Sequence, residues 1–257
     1  FGALFFYDLP DSDKNLRNYG GGACGGTLQH AFQQSCNVVF ASLGNDMGND
    51  FTTQMEKFGV GGTFKDGQNI GPIPKLDIPG AAGASGTIEG GYSTNKPSFA
   101  NAGIGQGVIA LSPLSVALMT SAIANNGTIP TPHVVDHTED GNGTILRRIT
   151  PGPFKQNVIT SDVAEKVKGY MVDVVNQGTG TKAKTKGLTI AGKTGTAEID
   201  GKDSPNVWFT SFAPAEDPQY IVTVFLETSL SNRTDVTGGQ LSAPIAKSIY
   251  EKLFNLN

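Results

Sequence analysis

Between Ala191 and Glu198 the chain places one lysine, two threonines and two glycines on eight residues, Ala-Gly-Lys-Thr-Gly-Thr-Ala-Glu. In an extended segment successive side chains alternate faces, so Lys193 and Gly195 share one face and Thr194 and Thr196 the other. Gly195 carries no side chain to block a ligand that lies close to the backbone. An edge strand of this kind can pair its backbone with an extended peptide while Lys193 and Thr194 hold an anionic end. A glycine-interrupted surface hairpin with an ordinary exposed lysine would satisfy the same eight residues, so the stretch needs a partner elsewhere in the chain.

That partner is Ser35-Cys36-Asn37, a hydroxyl and an amide two residues apart. Between the two stand Gly103-Ile-Gly-Gln-Gly107, Ser112-Pro-Leu114 and Ala124-Asn-Asn-Gly127, and after them Trp208-Phe209 and Phe212-Ala-Pro214. In this order the motifs resemble the transpeptidase domain of penicillin-binding proteins, in which Ser-x-Asn precedes Lys-Thr-Gly along the chain. The resemblance runs from about Tyr19 to the C-terminus.

The resemblance implies an α/β fold of the α+β type, an antiparallel sheet flanked by helices on both faces, incomplete at the N-terminus. It implies an acyl-serine enzyme of cell-wall synthesis that cross-links peptidoglycan stem peptides ending in D-Ala-D-Ala, binds β-lactams and requires no cofactor. Lys193 and Thr194 would hold the substrate carboxylate, with Gly195 and Trp208 beside them, and the Thr196 N–H would form half of an oxyanion hole. Ser35 would relay a proton, and Asn37 would bind the substrate's amide side chain. The family's nucleophile lies in a Ser-x-x-Lys motif upstream of Ser-x-Asn, and residues 1 to 34 contain no such spacing. Ser93-Thr94-Asn95-Lys96 has the spacing but follows Ser35 and precedes Pro97 in a Gly/Ser-rich run, so it reads as a decoy. The expectation is therefore the C-terminal part of a transpeptidase domain, inactive alone. Its nucleophile and an N-terminal membrane anchor would precede residue 1, with the enzyme outside the cytoplasmic membrane and division or elongation machinery as possible partners. A β-lactam sensor or hydrolase, and a non-catalytic cell-wall scaffold, carry the same motifs.

At 257 residues, 38% hydrophobic and 16% charged, the chain can bury a sizeable core, and 34 glycines imply many turns. A net charge of -4 argues against nucleic-acid binding. No run approaches the roughly 18 apolar residues of a membrane span. Cys24 and Cys36 are too few for a four-ligand zinc site; they can pair, closing a loop worth on the order of 3 kcal/mol, or remain two buried thiols. His133 and His137 are four apart, but Pro130 and Pro132 oppose a helix between them, so two solvated histidines fit better than a metal site. Gly105-Gln-Gly-Val-Ile-Ala110 mimics a dinucleotide fingerprint without the preceding strand that one requires.

Residues 1 to 26 read as an irregular lead-in, with Phe5-Phe6-Tyr7 as a possible short strand, residues 27 to 187 as a helical part with long loops, and 188 to 257 as sheet and closing helix. Thr27 caps a helix over Leu28 to Gln34, and a second runs from Val38 to Leu43, stopped by Gly44. A third covers Phe51 to Phe58, and Gly61 to Gly107 is a long loop. Ser115 to Asn125 is a central helix, and residues 130 to 153 hold a hairpin around Asp140-Gly-Asn-Gly143. Ser161 to Val175 is amphipathic, with Val163, Val167, Tyr170, Met171 and Val174 inward; Thr179 and Thr181 shape the rim that follows it. Strands over Leu188 to Glu198, Val207 to Phe212 and Tyr220 to Glu227 form a meander, with a turn at Asp200-Gly-Lys202. A helix from Ser242 to Phe254 packs Ile245, Ala246, Ile249, Tyr250 and Leu253 on the sheet.

Overall fold

The stretch around Lys193 is the first strand of an antiparallel meander, β11 (Ala191–Ala197), β12 (Asn206–Ala213) and β13 (Tyr220–Glu227), with β12 in the middle. The computed structural model describes residues 1–60, 64–65, 68–69, 76–77, 86–88, 96–107, 109–199, 204–229 and 236–256. The turn expected at Asp200-Gly-Lys202 and the Ser93–Asn95 part of the decoy lie outside the described residues.

Strand alternation sends Val207, Phe209 and Ser211 of β12 to one face, where α7 (Ala243–Leu253) packs Ala243, Ala246 and Tyr250 against Phe209. Thr210 and Phe212 point to the other face, toward α5 (Pro113–Ala124) and α6 (Ser161–Gln177), where Phe212 packs with Ala124 and Met171. Helices thus cover both faces of an antiparallel sheet. A row of hydroxyls ties α5 to the strands: the Thr120 hydroxyl donates to the Val116 carbonyl at 2.8 Å and meets the Thr210 hydroxyl at 2.7 Å, which meets the Thr223 hydroxyl at 2.8 Å.

The N-terminal part carries β1 (Phe6–Asp8) and β2 (Asn15–Arg17), then α1 (Leu28–Gln34), α2 (Asn37–Met47) and α3 (Asn49–Lys57). Residues 1 to 26 are more regular than their loop-like composition suggests, because β1 and β2 pair as an antiparallel hairpin. The second correction concerns Gly44, which lies inside α2 and does not end it. A Cβ there would collide with the Phe99 carbonyl oxygen and stand 2.8 Å from the Gly103 Cα, so the glycine permits close helix packing. Its neighbour is α4 (Lys96–Gly103), a helix within the expected 61-to-107 loop, which buries Phe99, Ala100 and Ala102.

That passage also holds the short pairs β3 (Phe64–Lys65) with β4 (Gln68–Asn69), and β5 (Gly86–Ile88) with β6 (Ile109–Leu111). Beyond α5, β7 (Ile129–Pro130) pairs with β10 (Pro153–Lys155), and β8 (His137–Glu139) with β9 (Ile145–Arg148) across the 140-to-143 turn. One helical face is rotated from expectation, that of α7, whose Ile245, Ile249 and Leu253 are 40%, 38% and 40% exposed; on α6 Met171 and Val174 are buried as expected and only Val163, in the first turn, is exposed. Among the described residues no helix is long and apolar enough to cross a membrane.

Candidate active site

β11 has β12 on one side only, which leaves its other edge unpaired by any strand among the described residues. Cross-strand register pairs Lys193 with Thr210 and Gly195 with Trp208, so these four residues share one face of the sheet. Lys193 Nζ donates to Ser35 Oγ at 2.8 Å and to the Thr194 carbonyl at 2.9 Å, and stands 5.6 Å from the centre of the Phe32 ring. Burial of the amine disfavours its charged form and brings its pKa down to about 8.

Ser35 reaches this lysine because of how α1 ends. Its N–H donates to the Phe32 carbonyl at 3.2 Å and the Cys36 N–H to the Ala31 carbonyl at 2.9 Å, the paired bonds of a Schellman turn. The residue at the left-handed position of that turn is ordinarily glycine; here it is Ser35, at φ 56° and ψ 50°. A non-glycine residue there costs about 1–2 kcal/mol, and such strain persists where the surroundings hold it.

Several contacts supply that hold. A disulfide joins Cys36 to Cys24, and Cys24 exchanges two backbone hydrogen bonds with Leu4, each 3.0 Å. Asn37 Nδ2 donates to the Arg17 carbonyl at 3.0 Å, and Asn18 Oδ1 accepts from the Val38 N–H at 3.2 Å. The same Asn18 amide donates to the carbonyls of Leu4 and Gly22. The N-terminal hairpin is therefore the mount of the Ser35 turn.

On the opposite face of β11, the Thr194 and Thr179 hydroxyls meet at 2.6 Å, and the Thr179 N–H donates to the Gln33 carbonyl at 3.3 Å. One of the two hydroxyls donates in that bond, so the pair keeps one O–H to offer. Thr196 Oγ1 accepts from the Gly238 N–H at 3.4 Å. Gly238 and Gly239 fit closely beneath β11: a Cβ on Gly238 would collide with the Trp208 carbonyl oxygen, and one on Gly239 with that of Thr179.

The structure thus brings Ser35 and Lys193 into contact, starts α2 at Asn37, and sets Thr194, Gly195 and Thr196 along one open edge. Trp208 stands opposite Gly195 and packs on Phe225 with ring centroids 4.3 Å apart, half-buried on the Lys193 face. Phe209 is fully buried on the α7 side and belongs to the core. Thr181 opens a short 3-10 turn and is exposed. His137 sits 2.7 Å from an Asp136 carboxylate oxygen on the surface hairpin. Two contributors carried no assigned role in the sequence, Phe32 under the amine and Gln106, whose amide lies within 3.4 Å of the Thr196 carbonyl oxygen, while Thr179, expected at the rim, is the hydroxyl partner of Thr194. The glycines flanking Gln106 were the available signal for the last of these.

A family model described as penicillin binding protein transpeptidase domain matches residues 8–251. The peptidoglycan D,D-transpeptidase PbpA of Mycolicibacterium smegmatis is 33% identical over 248 residues, 93% of this chain and 47% of that protein. The peptidoglycan D,D-transpeptidase MrdA of Haemophilus influenzae is 29% identical over 276 residues, 97% of this chain and 40% of that protein. Among solved structures, the ceftriaxone acyl-enzyme complex of penicillin-binding protein A from M. tuberculosis superposes with a TM-score of 0.82 at 30% identity, covering 97% of this chain and 54% of that one. The chain thus spans about half the length of the curated relatives it matches. With a serine turn facing a lysine strand in the family's order, and the family model extending over almost its whole length, the chain belongs to the penicillin-binding protein transpeptidase domain family.

Proposed function

We propose that the full-length protein is a serine-type peptidoglycan D,D-transpeptidase whose nucleophile lies outside these 257 residues. The observation that carries this reading is the 2.8 Å contact between Lys193 Nζ and Ser35 Oγ at the open edge of β11. An acyl transfer of this kind must hold a terminal carboxylate, stabilise a tetrahedral oxyanion and move a proton to the leaving amine. Lys193, as its cation, and the hydroxyl pair Thr194–Thr179 supply donors for the carboxylate of a D-Ala-D-Ala peptide or of a β-lactam that imitates it. The Thr196 N–H points from the edge toward the developing oxyanion; losing such a donor costs about 3 kcal/mol of transition-state stabilisation. Ser35 Oγ, already bonded to the amine, relays the proton, and Asn37, whose Nδ2 donates to the Arg17 carbonyl, binds the substrate's amide side chain. Gly195 leaves room for the peptide backbone, with Trp208 as the wall behind it.

Membership of the family supports a place on the outer face of the bacterial membrane, with stem peptides and β-lactams as ligands. The M. tuberculosis relative is known as acyl-enzyme complexes with ceftriaxone, imipenem and penicillin G. Labelling the full-length protein with a fluorescent penicillin tests the reading: a covalent adduct is expected, and its absence overturns the enzyme. Residues 1–257 alone are expected to stay unlabelled. Slow release of the adduct, over many minutes, separates a transpeptidase from a β-lactam hydrolase.

A further inference from the structure

The side of β11 that no strand among the described residues pairs with is a row of backbone donors and acceptors, and two side chains already use part of it, Lys193 on the Thr194 carbonyl at 2.9 Å and Gln106 on Glu198. Oriented so that both atoms of its amide find partners, Gln106 donates to the Glu198 carbonyl oxygen at 3.3 Å and accepts from the Glu198 N–H at 3.1 Å. A residue that offers both its N–H and its C=O to one neighbour has its backbone directed out of the sheet, and pleating repeats that direction at every second residue. Thr196 and Thr194 therefore point the same way as Glu198, while Gly195 and Ala197 turn toward β12. The open edge has three outward positions in this stretch, and Gln106 fills the last of them.

The placement of Gln106 is firm. Its N–H donates to the Asn101 carbonyl at 2.9 Å and the Gly105 N–H to the Ala102 carbonyl at 2.9 Å, a second Schellman turn with Gly105 in the left-handed position at φ 73°. α4, which ends in that turn, is locked to α2 through Gly44 and Gly103, whose added Cβ atoms would collide with the carbonyl oxygens of Phe99 and Phe40 respectively. The helix that starts at Asn37 and the turn that carries Gln106 are one packed unit facing β11.

We propose that Gln106 is a strand stop: by occupying the backbone positions of Glu198, it restricts an extended peptide substrate to pairing at Thr194 and Thr196, and so sets how much of the peptide the enzyme reads. The proposal rests on the transpeptidase reading. A peptide with its carboxylate at Lys193 runs its earlier residues toward Glu198, where a further residue would add backbone bonds if the Gln106 amide were not there. The same contact shields the end of an exposed sheet edge from unwanted pairing.

Amide hydrogen exchange in Gln106→Ala reads the contact itself: the Glu198 amide should exchange at least about tenfold faster than in the wild-type protein, with β12 amides unchanged. Gln106→Glu, which can still accept from the Glu198 N–H but cannot donate to its carbonyl, should fall between the two. In the full-length enzyme, kcat/KM is then measured for D-Ala-D-Ala peptides of increasing length. The ratio of long to short substrate should rise about fivefold in Gln106→Ala, the equivalent of one backbone hydrogen bond. Equal Glu198 exchange in both proteins overturns the clamp; faster exchange with an unchanged length ratio overturns the stop. If the wild-type protein forms no penicillin adduct, the transpeptidase reading falls and the stop with it, whereas the exchange result still reports whether Gln106 covers the edge.

Discussion

Two helices that face β11 end in the same hydrogen-bonded turn, yet one puts a serine and the other a glycine in the left-handed position. At the end of α1 that residue is Ser35, whose own hydroxyl meets Lys193. At the end of α4 it is Gly105, and the side chain that meets β11 belongs to the next residue, Gln106. Where the working group sits on the left-handed residue itself, glycine is forbidden and the strain stays in the native state. Where it sits one residue later, glycine removes the strain at no functional cost. The first turn is correspondingly tethered by the Cys24–Cys36 disulfide and the Asn37 and Asn18 contacts, while the second relies on close glycine packing between α2 and α4.

The largest expected effect breaks the first turn's chemistry: Ser35→Ala should slow penicillin acylation of the full-length protein by about 10²-fold or more, read from adduct formation over time. The amine it touches should show itself in pH dependence. With its pKa brought down to about 8, Lys193 loses charge as pH rises through that value, and binding of a carboxylate-bearing β-lactam should weaken there. Folding stability moves the other way. Between about 8 and the ordinary lysine value of 10.5 the unfolded chain binds more protons than the folded one, so stability rises with pH across that window, and Lys193→Met should flatten the rise in urea titrations.

Removing the tether with Cys24→Ser and Cys36→Ser together should cost on the order of 3 kcal/mol in urea unfolding. Gly103→Ala attacks the second turn's packing instead. It drives a Cβ into the Phe40 carbonyl oxygen and should cost about 1–3 kcal/mol, measured in the same way. The finest test is the reciprocal exchange of the two left-handed residues. Ser35→Gly should gain about 1 kcal/mol of stability while losing activity, and Gly105→Ser, which has open space for a Cβ, should lose about 1 kcal/mol from backbone strain alone. Equal stability changes of one sign at both sites would show that the turns are not equivalent.

The chemistry of the first turn was legible because a hydroxyl, an amide and a lysine announce themselves by type, and alternation along β11 follows from its being a strand. The second turn was not. Around α4 the residues are glycine, proline and serine, and Pro97 read as a helix breaker although it falls in the first turn of a helix that starts at Lys96, where its missing N–H costs nothing. Gly44 likewise read as a stop, because sequence alone does not show the second helix that needs its bare Cα. In α7 the period was right and the rotation wrong. Ala243, Ala246 and Tyr250 meet the sheet, where small residues let the helix approach, and the larger Ile245, Ile249 and Leu253 are turned partly outward. Periodicity fixes the existence of a buried stripe more firmly than its azimuth.

The threonine row between α5 and the sheet has a definite sense. The Thr120 hydroxyl has one proton and gives it to the Val116 carbonyl, so it must receive from Thr210, which in turn must receive from Thr223. The three hydroxyl dipoles are therefore aligned from β13 toward α5, with the middle one on Thr210, the strand partner of Lys193. Any group placed at position 120 that cannot act as an acceptor would reverse or break that alignment across the full width of the row.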